Sequence, residues 1–378
     1  MKTIAMMEGY YLPHIGGIER YSDNLAKQLT KMGYRVLIVT TQHEKNLPQQ
    51  EETAYATIYR LPIYGLFSSR YPIIKKNKEY KQILEKLEQE KIDFILLHTR
   101  FQLTTLFGAK FAKLHKIPCC VLEHGSSHFT VYHQVLDFFG HIYEHLLTNR
   151  IKSLVSDFYG VSKACNEWLK HYHIQAKGVF YNAIAQEEYE TYKIPEDKRL
   201  SKEKQDTIKI LYVGRLLKDK GILLLLEAYH HLKEKYPNIE LYLAGDGPLQ
   251  ETLEQEKDIG LLGRLDHAEV MQWYQKADIL VNPSYSEGLP TVLLEAGLMK
   301  SCILATPVGG TKEIIEDGKN GLFCDTTVES VEEKLETLLL QPDLREKMAQ
   351  EIHHTIKEKF SWEATAKEVV AQIFKDRK

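Results

Sequence analysis

Two glutamates stand out because of the residues that separate them. Glu287 and Glu295 have seven residues between them, in the segment SEGLPTVLLEAG. Gly288 lets the chain turn and Pro290 suits an early helical position, so we predict a helix that begins between the two glutamates. Its first amides, with those of Gly288 and Leu289, can bind anionic or hydroxyl oxygens. Glu295 can accept two hydrogen bonds from a vicinal diol such as ribose, although helix caps or surface charges fit this spacing as well.

The elements that must position these residues follow from apolar periodicity. In the first half of the chain short apolar strands alternate with amphipathic helices, which is typical of a parallel sheet covered on both faces. There we predict strands over residues 3–7, 36–41, 94–97, 119–122 and 158–161, and helices over 18–32 and 163–171. Gly33 is expected to end the first of these helices.

The same alternation restarts after a charged stretch that is poor in apolar residues. We predict strands over 208–213, 239–244, 278–282 and 302–305, and helices over 222–235, 290–299 and from residue 311 onwards. The sequence therefore predicts an α/β protein with two Rossmann-like, doubly wound domains facing each other across a cleft. Their bounds are residues 1–185 and 207–360, with a linker over 186–206. Ligands of such sheets bind beyond the carboxyl ends of the strands, and Glu287 follows a predicted strand.

Composition supports an ordinary globular protein with two domains. The 378 residues are too many for one ordinary core, and 43% hydrophobic with 27% charged residues excludes a disordered or fibrous chain. Residues 1–185 hold 23 Lys and Arg against 16 Asp and Glu, whereas the remainder holds 26 against 36. A basic first half suits an anionic partner, such as a phospholipid surface or a phosphate-bearing acceptor, and chance placement of solvated lysines fits equally well.

Cysteine usage and hydropathy predict a cytoplasmic protein. Five cysteines, an odd number without a Cys-x-x-Cys pair, argue against structural disulfides and a zinc site and favour a reducing cytosol. The apolar stretch before Glu8 is too short for a secretory signal, and no run approaches the roughly 18 apolar residues of a spanning helix. Any contact with the inner face of the cell membrane is therefore expected to be peripheral.

Nine short motifs occur in one order along the whole chain. They are Gly16-Gly17 with Glu19, Glu123-His124-Gly125, Gly160-Val161-Ser162, Asn182-Ala183-Ile184, Gly214-Arg215-Leu216 with Lys220-Gly221, Ala244-Gly245-Asp246-Gly247-Pro248-Leu249, the two-glutamate segment, Pro307-Val308-Gly309-Gly310 and Gly318-Lys319-Asn320-Gly321-Leu322. Each alone is ordinary turn chemistry. Together they make the chain resemble the retaining GT-B glycosyltransferases of the family 4 type, which include many bacterial polysaccharide and glycolipid enzymes. In that fold a C-terminal helix, here residues 361–378, completes the N-terminal domain.

The resemblance implies a binding site for a nucleotide-sugar donor. Arg215 and Lys220 correspond to a cationic pair that stabilises the charge gained by the leaving diphosphate. No acidic pair has obvious metal-ligand spacing, so this cationic pair is expected to replace a divalent ion, and no metal or cofactor besides the donor is predicted. The positions implied to contact the donor are Gly16, Gly17, Arg215, Lys220, Leu265, Gly288, Leu289, Pro290 and Glu295.

The same resemblance implies His124, Glu287, Arg215 and Lys220 as the catalytic residues. His124 would contact the donor sugar or its reacting edge. Glu287 would bind sugar hydroxyls rather than act as the nucleophile that retaining glycosidases use. We therefore expect front-face displacement, in which the donor phosphate accepts the proton of the acceptor while the sugar passes through an oxocarbenium-like state.

The resemblance thus implies transfer of a hexose or N-acetylhexosamine from a UDP-sugar, or from GDP-mannose, to a hydroxyl of a glycan or lipid-linked acceptor. The expected setting is bacterial cell-surface polysaccharide synthesis. A nucleotide-sugar epimerase of similar double-Rossmann shape is the alternative, and a non-catalytic nucleotide-sugar binder is a third. The chain lacks Gly-x-Gly-x-x-Gly, which argues against an NAD-dependent dehydrogenase. No nucleic-acid partner is expected.

Two stretches of the first half are candidates for acceptor or membrane contact. Residues 70–91 combine apolar residues at helical spacing with lysines on the other side, which fits a basic amphipathic helix on an anionic surface. Residues 129–155 are apolar and rich in aromatic residues, and they fit a lipid-facing groove. Both stretches also fit helices packed on their own sheet. The polar edges of the second are predicted to include His128, His133, His141 and His145.

Overall fold

The computed structural model describes residues 1–14, 16–64, 72–128, 134–193 and 207–375, with the side chains of 134–136 and 188 excepted. Parts of several sequence predictions lie outside the described residues: 70–71 of the basic stretch, 129–133 (including His133) of the apolar stretch, 194–206 of the linker and 376–378 of the last helix. Inter-residue contacts divide the chain into two units, Met1–Asn182 with Trp362–Lys378, and Ala183–Ser361.

Each unit contains one large sheet. The strands of the first unit are β1 (Thr3–Met7), β2 (Arg35–Thr41), β3 (Gln50–Glu52), β4 (Thr57–Leu61), β5 (Ile63–Tyr64), β6 (Ile73–Ile74), β7 (Phe94–His98), β8 (Cys119–Glu123), β9 (Phe158–Gly160) and β10 (Gly178–Val179). Those of the second unit are β11 (Ile208–Val213), β12 (Ile239–Ala244), β13 (Ile259–Gly263), β14 (Ile279–Asn282), β15 (Cys302–Ala305) and β16 (Leu322–Phe323).

Helices flank the strands in both units. They are α1 (Gly17–Lys31), α2 (Lys78–Gln89), α3 (Leu103–His115), α4 (Gln134–Lys152), α5 (Lys163–Leu169), α6 (Glu187–Tyr192), α7 (Ile222–Lys235), α8 (Gln250–Leu253), α9 (His267–Lys276), α10 (Thr291–Leu298), α11 (Thr311–Ile314), α12 (Val328–Leu340), α13 (Pro342–Lys359) and α14 (Trp362–Ile373). Short 3₁₀ turns span Lys170–Tyr172 and Lys218–Lys220.

Both sheets are wound outward from a central strand. Within the described residues the first sheet has the order β10-β9-β8-β7-β1-β2-β4-β3, and the second has the order β13-β12-β11-β14-β15-β16. Within these two sheets all pairs are parallel except β3 with β4, and β5 and β6 form a separate antiparallel pair. Every residue of β1 and β7 is buried, because strands covered on both faces need apolar side chains on both.

Most predicted elements are confirmed, and several have the predicted bounds. The strands over 3–7, 208–213, 239–244 and 302–305 coincide with β1, β11, β12 and β15. Gly33, with a φ of 84°, ends α1 as predicted. The Tyr34 amide donates to Leu29 O and the Gly33 amide to Thr30 O, each at 3.0 Å, which is the Schellman pattern. Pro290 was expected inside its helix but is the residue before it, since α10 begins at Thr291.

The boundary between the units differs from the sequence expectation by a few residues. Residues 183–185 were assigned to the first domain and 186–193 to the linker, but both stretches belong to the second unit. The Ile184 amide donates to Phe360 O at 2.9 Å. The stretch 186–193 contains α6, and the Gln275 side chain donates to Tyr192 O at 2.7 Å. The charged composition indicated a linker. These hydrogen bonds instead attach the start of that stretch to other residues of the second unit.

The last helix packs within the first unit. The Trp362 ring is buried and lies edge-on to Tyr21 of α1, with 5.0 Å between centroids. Thr365 Oγ1 donates to Tyr181 O at 3.0 Å. Beyond the helix, Phe374 stacks on Tyr34 at 5.9 Å. These contacts join the end of the chain to its first helix.

Candidate functional site

The candidate residues of the second unit lie where the order of its strands reverses. β11 pairs with both β12 and β14, and the chain proceeds outward on either side of it. Open parallel sheets bind ligands beyond the carboxyl ends of the strands at such a point. The segment after β11 carries Arg215 and Lys220, and the segment after β14 carries Glu287.

Lys220 and Glu287 form an ion pair at this edge of the sheet. Lys220 Nζ lies 2.8 Å from Glu287 Oε1, and Ser284 Oγ donates to the same oxygen at 2.7 Å. Both charged side chains are mostly shielded from solvent. Because two donors converge on one carboxylate oxygen, the Glu287 side chain has a defined position, and the structure brings together two of the predicted catalytic residues.

The backbone of Glu287 is fixed by two glycines from the segment after β15. A Cβ at Gly309, whose φ is 53°, would lie 1.7 Å from Glu287 O, and one at Gly310 would lie 2.3 Å from Gly288 O. The Gly310 amide donates to Gly288 O at 2.7 Å. Only residues without side chains permit this approach, so the Pro-Val-Gly-Gly motif supports the two-glutamate segment.

Glu295 occupies the fifth position of α10 and is 9% exposed. Tyr274 of α9 donates its hydroxyl to Glu295 Oε2 at 3.0 Å. A buried carboxylate held by a tyrosine can accept hydroxyl groups of a ligand without first losing side-chain freedom. Pro290 is the N-cap of the same helix, and Leu289 before it is buried.

Arg215 and Leu265 follow β11 and β13, the two strands that flank β12 in the same sheet. Arg215 is exposed and forms no ion pair with any residue that the structure describes, while its carbonyl accepts a hydrogen bond from the Tyr212 hydroxyl at 2.9 Å. A Cβ at Gly247 would lie 2.6 Å from Leu216 O, so the segment after β12 fits closely against this loop. Leu265 follows β13 and is half-buried.

In the first unit, Gly16 and Gly17 begin α1 beyond β1. Gly16 is the N-cap, and the Arg20 amide donates to its carbonyl at 3.1 Å. A Cβ at Gly16 would lie 2.4 Å from Glu19 Oε2, whereas one at Gly17 would meet nothing within 4 Å. The pair thus leaves one face of the helix start uncovered, which suits approach of an anion to the first amides.

His124 ends a chain of buried polar groups that we call the histidine relay, formed by Glu8, Ser22, His98 and His124. His124 Nε2 lies 2.9 Å from His98 Nδ1, and His98 Nε2 lies 3.5 Å from Ser22 Oγ, the outer limit of a hydrogen bond. Ser22 Oγ is 2.6 Å from Glu8 Oε2. Glu8 directly follows β1 and His98 is the last residue of β7, and these strands are adjacent.

The proton on Glu8 sets the direction of the histidine relay. If the carboxylate is ionised, Ser22 donates to it, His98 donates from Nε2, and His124 donates from Nε2 and keeps Nδ1 as an acceptor. If the carboxyl is protonated, every bond reverses and His124 Nδ1 becomes a donor. Burial raises the pKa of Glu8 well above its ordinary value, which favours the protonated form. The tautomer of His124 therefore depends on a residue three hydrogen bonds away.

Glu123 fixes the backbone of the Glu-His-Gly loop. Its Oε1 accepts from the amides of His124 at 3.2 Å and Gly125 at 3.0 Å. Its Oε2 lies 2.9 Å from Arg100 Nη1. The sequence indicated this loop but no role for Arg100, Ser22 or His98, because their proximity depends on which strands are neighbours.

Two family models cover nearly the whole chain. The model for Glycosyltransferase Family 4 matches residues 15–188, and the model for Glycosyl transferases group 1 matches residues 193–355. The chain belongs to the family 4-like glycosyltransferases.

Two relatives of this transferase, from different organisms, align with it over most of their length. An uncharacterized glycosyltransferase of Methanocaldococcus jannaschii is 27% identical over 97% of this chain and 96% of its own length. The alpha-monoglucosyldiacylglycerol synthase of Acholeplasma laidlawii is 24% identical over 87% of this chain and 86% of its own length.

Solved structures share the fold over almost all of the transferase. The sucrose-phosphate synthase of Thermosynechococcus elongatus has a TM-score of 0.81 at 18% identity, covering 99% of this chain and 100% of its own. Anabaena HepE, in complex with UDP and glucose, has a TM-score of 0.73 at 18% identity, with 99% of both chains covered. These likenesses confirm the predicted GT-B fold.

The histidine relay predicts a specific loss of stability in acid. Burial lowers the pKa of His124 to about 3, so the folded transferase keeps this ring neutral while the unfolded chain takes up a proton below about pH 6.5. Stability is therefore lost as the pH falls from 6.5 towards 3. Between pH 7.5 and 5.5 the wild type should lose about 1.4 kcal/mol more than His124→Asn, measured by urea unfolding.

An exposed histidine of the same unit is the control for this acid effect. His173→Asn should follow the wild type, because His173 is exposed. Equal acid sensitivity of His124→Asn and the wild type would show that His124 is protonated in the folded transferase.

Proposed function

We propose that the transferase moves a hexose or an N-acetylhexosamine, with retention, from a UDP-sugar to a hydroxyl of a glycan or lipid-linked acceptor. GDP-mannose is the second donor to test. The observation that carries the proposal is the placement of the Lys220–Glu287 ion pair and the Glu295 carboxylate on segments that leave the carboxyl ends of β11 and β14. HepE in complex with UDP and glucose, and a relative named for a glucosylated diacylglycerol, support this donor and acceptor class.

Each charged group at this edge has a distinct part in donor binding. Glu295, oriented by Tyr274, accepts hydrogen bonds from the two ribose hydroxyls. Arg215 and Lys220 contact the diphosphate, where negative charge increases as the glycosidic bond breaks, and fixed cations stabilise that state more than the ground state. The cationic pair takes the part of a divalent ion, so we propose metal-independent transfer.

Retention follows from attack on the face that the diphosphate leaves. Glu287 already accepts hydrogen bonds from Lys220 and Ser284, and a carboxylate engaged in this way is a weak nucleophile suited to holding sugar hydroxyls. The leaving phosphate then accepts the proton of the acceptor hydroxyl. His124 contacts the sugar through Nδ1, whose donor or acceptor state the histidine relay sets.

Thermal stabilisation by a panel of nucleoside diphosphates and nucleotide sugars tests the donor site. A donor at about 100 times its dissociation constant adds about 2.7 kcal/mol of stability, which is visible as a rise in melting temperature. Glu295→Ala should lose most of this rise because the ribose hydroxyls lose their acceptor. Glu251→Ala removes an exposed glutamate of α8 and should keep it. If no nucleotide of any base stabilises the wild type, the proposed donor site is wrong.

Two surfaces of the first unit support a lipid-linked acceptor at a membrane. The helix α4 exposes Phe138 (62%), Phe139 (61%), Ile142 (42%) and Leu146 (67%). A groove of about 320 Å³ between α2 and α3 is lined mostly by apolar side chains, with Lys76 and Lys110 among its charged residues. Among the described residues, no helix is long and apolar enough to cross a bilayer. We propose peripheral contact with the inner face of the cell membrane, from a cytoplasmic location, in cell-surface polysaccharide synthesis.

Vesicle co-sedimentation tests this surface. The wild type should bind vesicles containing anionic lipid more than neutral vesicles, because lysines add to apolar insertion. The double variant Phe138→Ser/Leu146→Ser should bind several-fold less. Leu340→Ser, at an exposed leucine of the second unit (59%), should bind like the wild type. Membrane contact through α4 would be contradicted if co-sedimentation did not depend on anionic lipid. It would also be contradicted if the double variant bound vesicles as well as the wild type.

A further inference from the structure

Four histidines of the first unit form a group that the donor site does not use. We call His128, His141, His145 and His171 the histidine cluster. His128 lies in the loop after β8, His141 and His145 are one turn apart on α4, and His171 belongs to the 3₁₀ turn Lys170–Tyr172. The sequence placed His128, His133, His141 and His145 on one helical stretch, and this prediction is wrong for His128, which lies outside any helix.

Three members of the histidine cluster point ring nitrogens at one another. One nitrogen each of His128, His145 and His171 lies within 4.8 Å of the other two. The Nε2 atoms of His145 and His171 are 3.2 Å apart. Imidazole nitrogens bound to zinc at 2.0–2.1 Å in tetrahedral geometry are about 3.3 Å apart. The edge between His145 and His171 is close to this length, and one His128 nitrogen lies within 4.8 Å of both.

Polar groups next to the His128 ring orient this ring. His128 Nδ1 is 3.3 Å from Glu144 Oε2 and 3.1 Å from the Tyr172 hydroxyl, which leaves Nε2 for a ligand. Glu144 is 2% exposed and pairs with Arg100 at 2.7 Å. Carboxylates that accept the far N–H of a metal-bound imidazole fix its tautomer and raise its basicity.

Ring stacking holds the planes of two of the three imidazoles. His141 stacks on His128 at 4.1 Å, and Trp168 stacks on His171 at 4.8 Å with 4° between the planes. A hydrogen bond between His145 and His171 would satisfy two nitrogens but would give no reason for three imidazoles to converge. His171 is exposed, which provides a path for entry from solvent.

We propose that His128, His145 and His171 bind one divalent transition-metal ion of the zinc type, with solvent at the fourth position. Imidazole suits Zn²⁺ well, whereas Mg²⁺ and Ca²⁺ prefer oxygen ligands. The sequence argued against a zinc site from its cysteines, but this site uses none. The ion would tie the loop after β8 to α4 and to the turn after α5. Through Glu144, Arg100 and Glu123 it would stabilise the loop that carries His124.

Zinc binding to the untagged, chelator-stripped full chain tests the proposal. Equilibrium dialysis with ZnCl₂ and elemental analysis should give one ion per wild-type chain. His145→Asn and His171→Asn should each lower the affinity by at least tenfold. His173→Asn is the matched control, because this exposed neighbour of His171 has a φ of 54° that asparagine tolerates. It should bind like the wild type.

Cobalt substitution distinguishes this site from adventitious binding. Co²⁺ in the wild type and in His173→Asn should give visible d–d bands of a tetrahedral site, and these should be absent in His145→Asn and His171→Asn. The nucleotide-dependent melting shift, which depends on the second unit, should persist in all of them and exclude unfolding as the cause. Failure to bind zinc at micromolar concentration, or equal binding by all four proteins, would overturn the proposal without affecting the donor site.

Discussion

Replacing Lys220 with methionine is expected to reduce kcat by about 10²–10³-fold. The methionine keeps the length of the side chain but removes the charge that stabilises the leaving diphosphate. Lys220 Nζ carries three N–H donors and lies 2.8 Å from Glu287 Oε1 and 3.5 Å from Ser286 O, so one donor remains for phosphate oxygens. The loss should fall mainly on kcat, since charge on the leaving group is greatest in the transition state. Steady-state assays with a donor that stabilises the protein measure kcat, and single-turnover assays give the rate constant of the chemical step.

Lys218 provides a control from the same 3₁₀ turn. Lys218 is exposed. Lys218→Met should keep kcat within about twofold, because substitutions of surface charges outside the ion pair have small effects. Equal losses in Lys218→Met and Lys220→Met would indicate a general electrostatic effect and contradict the cationic pair.

Glu287→Gln separates the two mechanisms of retention. Front-face displacement predicts measurable turnover, because glutamine still accepts and donates hydrogen bonds to sugar hydroxyls. A nucleophilic Glu287 predicts a loss of about 10⁴-fold or more. Near-normal turnover would remove Glu287 from any essential role as acid, base or nucleophile.

Most strands of the second unit could be predicted, because a parallel sheet covered on both faces requires nearly continuous apolar runs. β11, β12 and β15 meet that demand and have the predicted bounds. β13 was not predicted, because Gly260 and Gly263 weaken its apolar pattern and all of its residues are only half-buried. β4 was missed for another reason. Arg60 interrupts its apolar run, yet this arginine is 2% exposed and paired with Glu51.

The position of the site could be predicted, but its connections could not. Arg215 and Lys220 were implied by the family resemblance, and Glu287 was noticed from its spacing to Glu295. All three follow strands, whose carboxyl ends meet at one edge of a parallel sheet. The histidine relay escaped prediction because His98 and Ser22 are 76 residues apart and meet only where β1 lies beside β7. The histidine cluster combines a loop, a helix and a 3₁₀ turn, and no periodicity of the sequence joins three such segments.

Arg100→Met is expected to lower the free energy of unfolding by about 3–5 kcal/mol, the largest stability loss we predict. Arg100 and Glu123 are fully buried, and Glu144 is 2% exposed. The guanidinium lies 2.9 Å from Glu123 Oε2 and 2.7 Å from Glu144 Oε2, with its carbon 4.2 Å from the centre of the Tyr172 ring. Methionine fills much of the volume but leaves two carboxylates without a cation in a region closed to water.

Arg60→Met is the matched comparison, because Arg60 is equally buried but its partner is not. Arg60 Nη2 lies 2.7 Å from Glu51 Oε2, and the Glu51 side chain is 41% exposed. After substitution Glu51 returns to solvent, so the cost is limited to lost hydrogen bonds with Pro48 O and Leu12 O, about 1–3 kcal/mol. Urea unfolding at neutral pH should therefore give a much lower free energy of unfolding for Arg100→Met than for Arg60→Met.

Lowering the pH tests the cause of the Arg100 effect. Without Arg100, the two buried carboxyl groups take up protons on folding, because an unpaired charge in that region costs more than a neutral acid. The folded variant therefore binds more protons than its unfolded chain does. Its free energy of unfolding, relative to that of the wild type, rises as the pH falls. The difference in free energy of unfolding between Arg100→Met and the wild type should become smaller from pH 7.5 to 5.5. The corresponding difference for Arg60→Met should not change. A loss below about 1 kcal/mol, independent of pH, would mean that Glu123 and Glu144 remain hydrated and do not depend on Arg100 to hold the loop that carries His124.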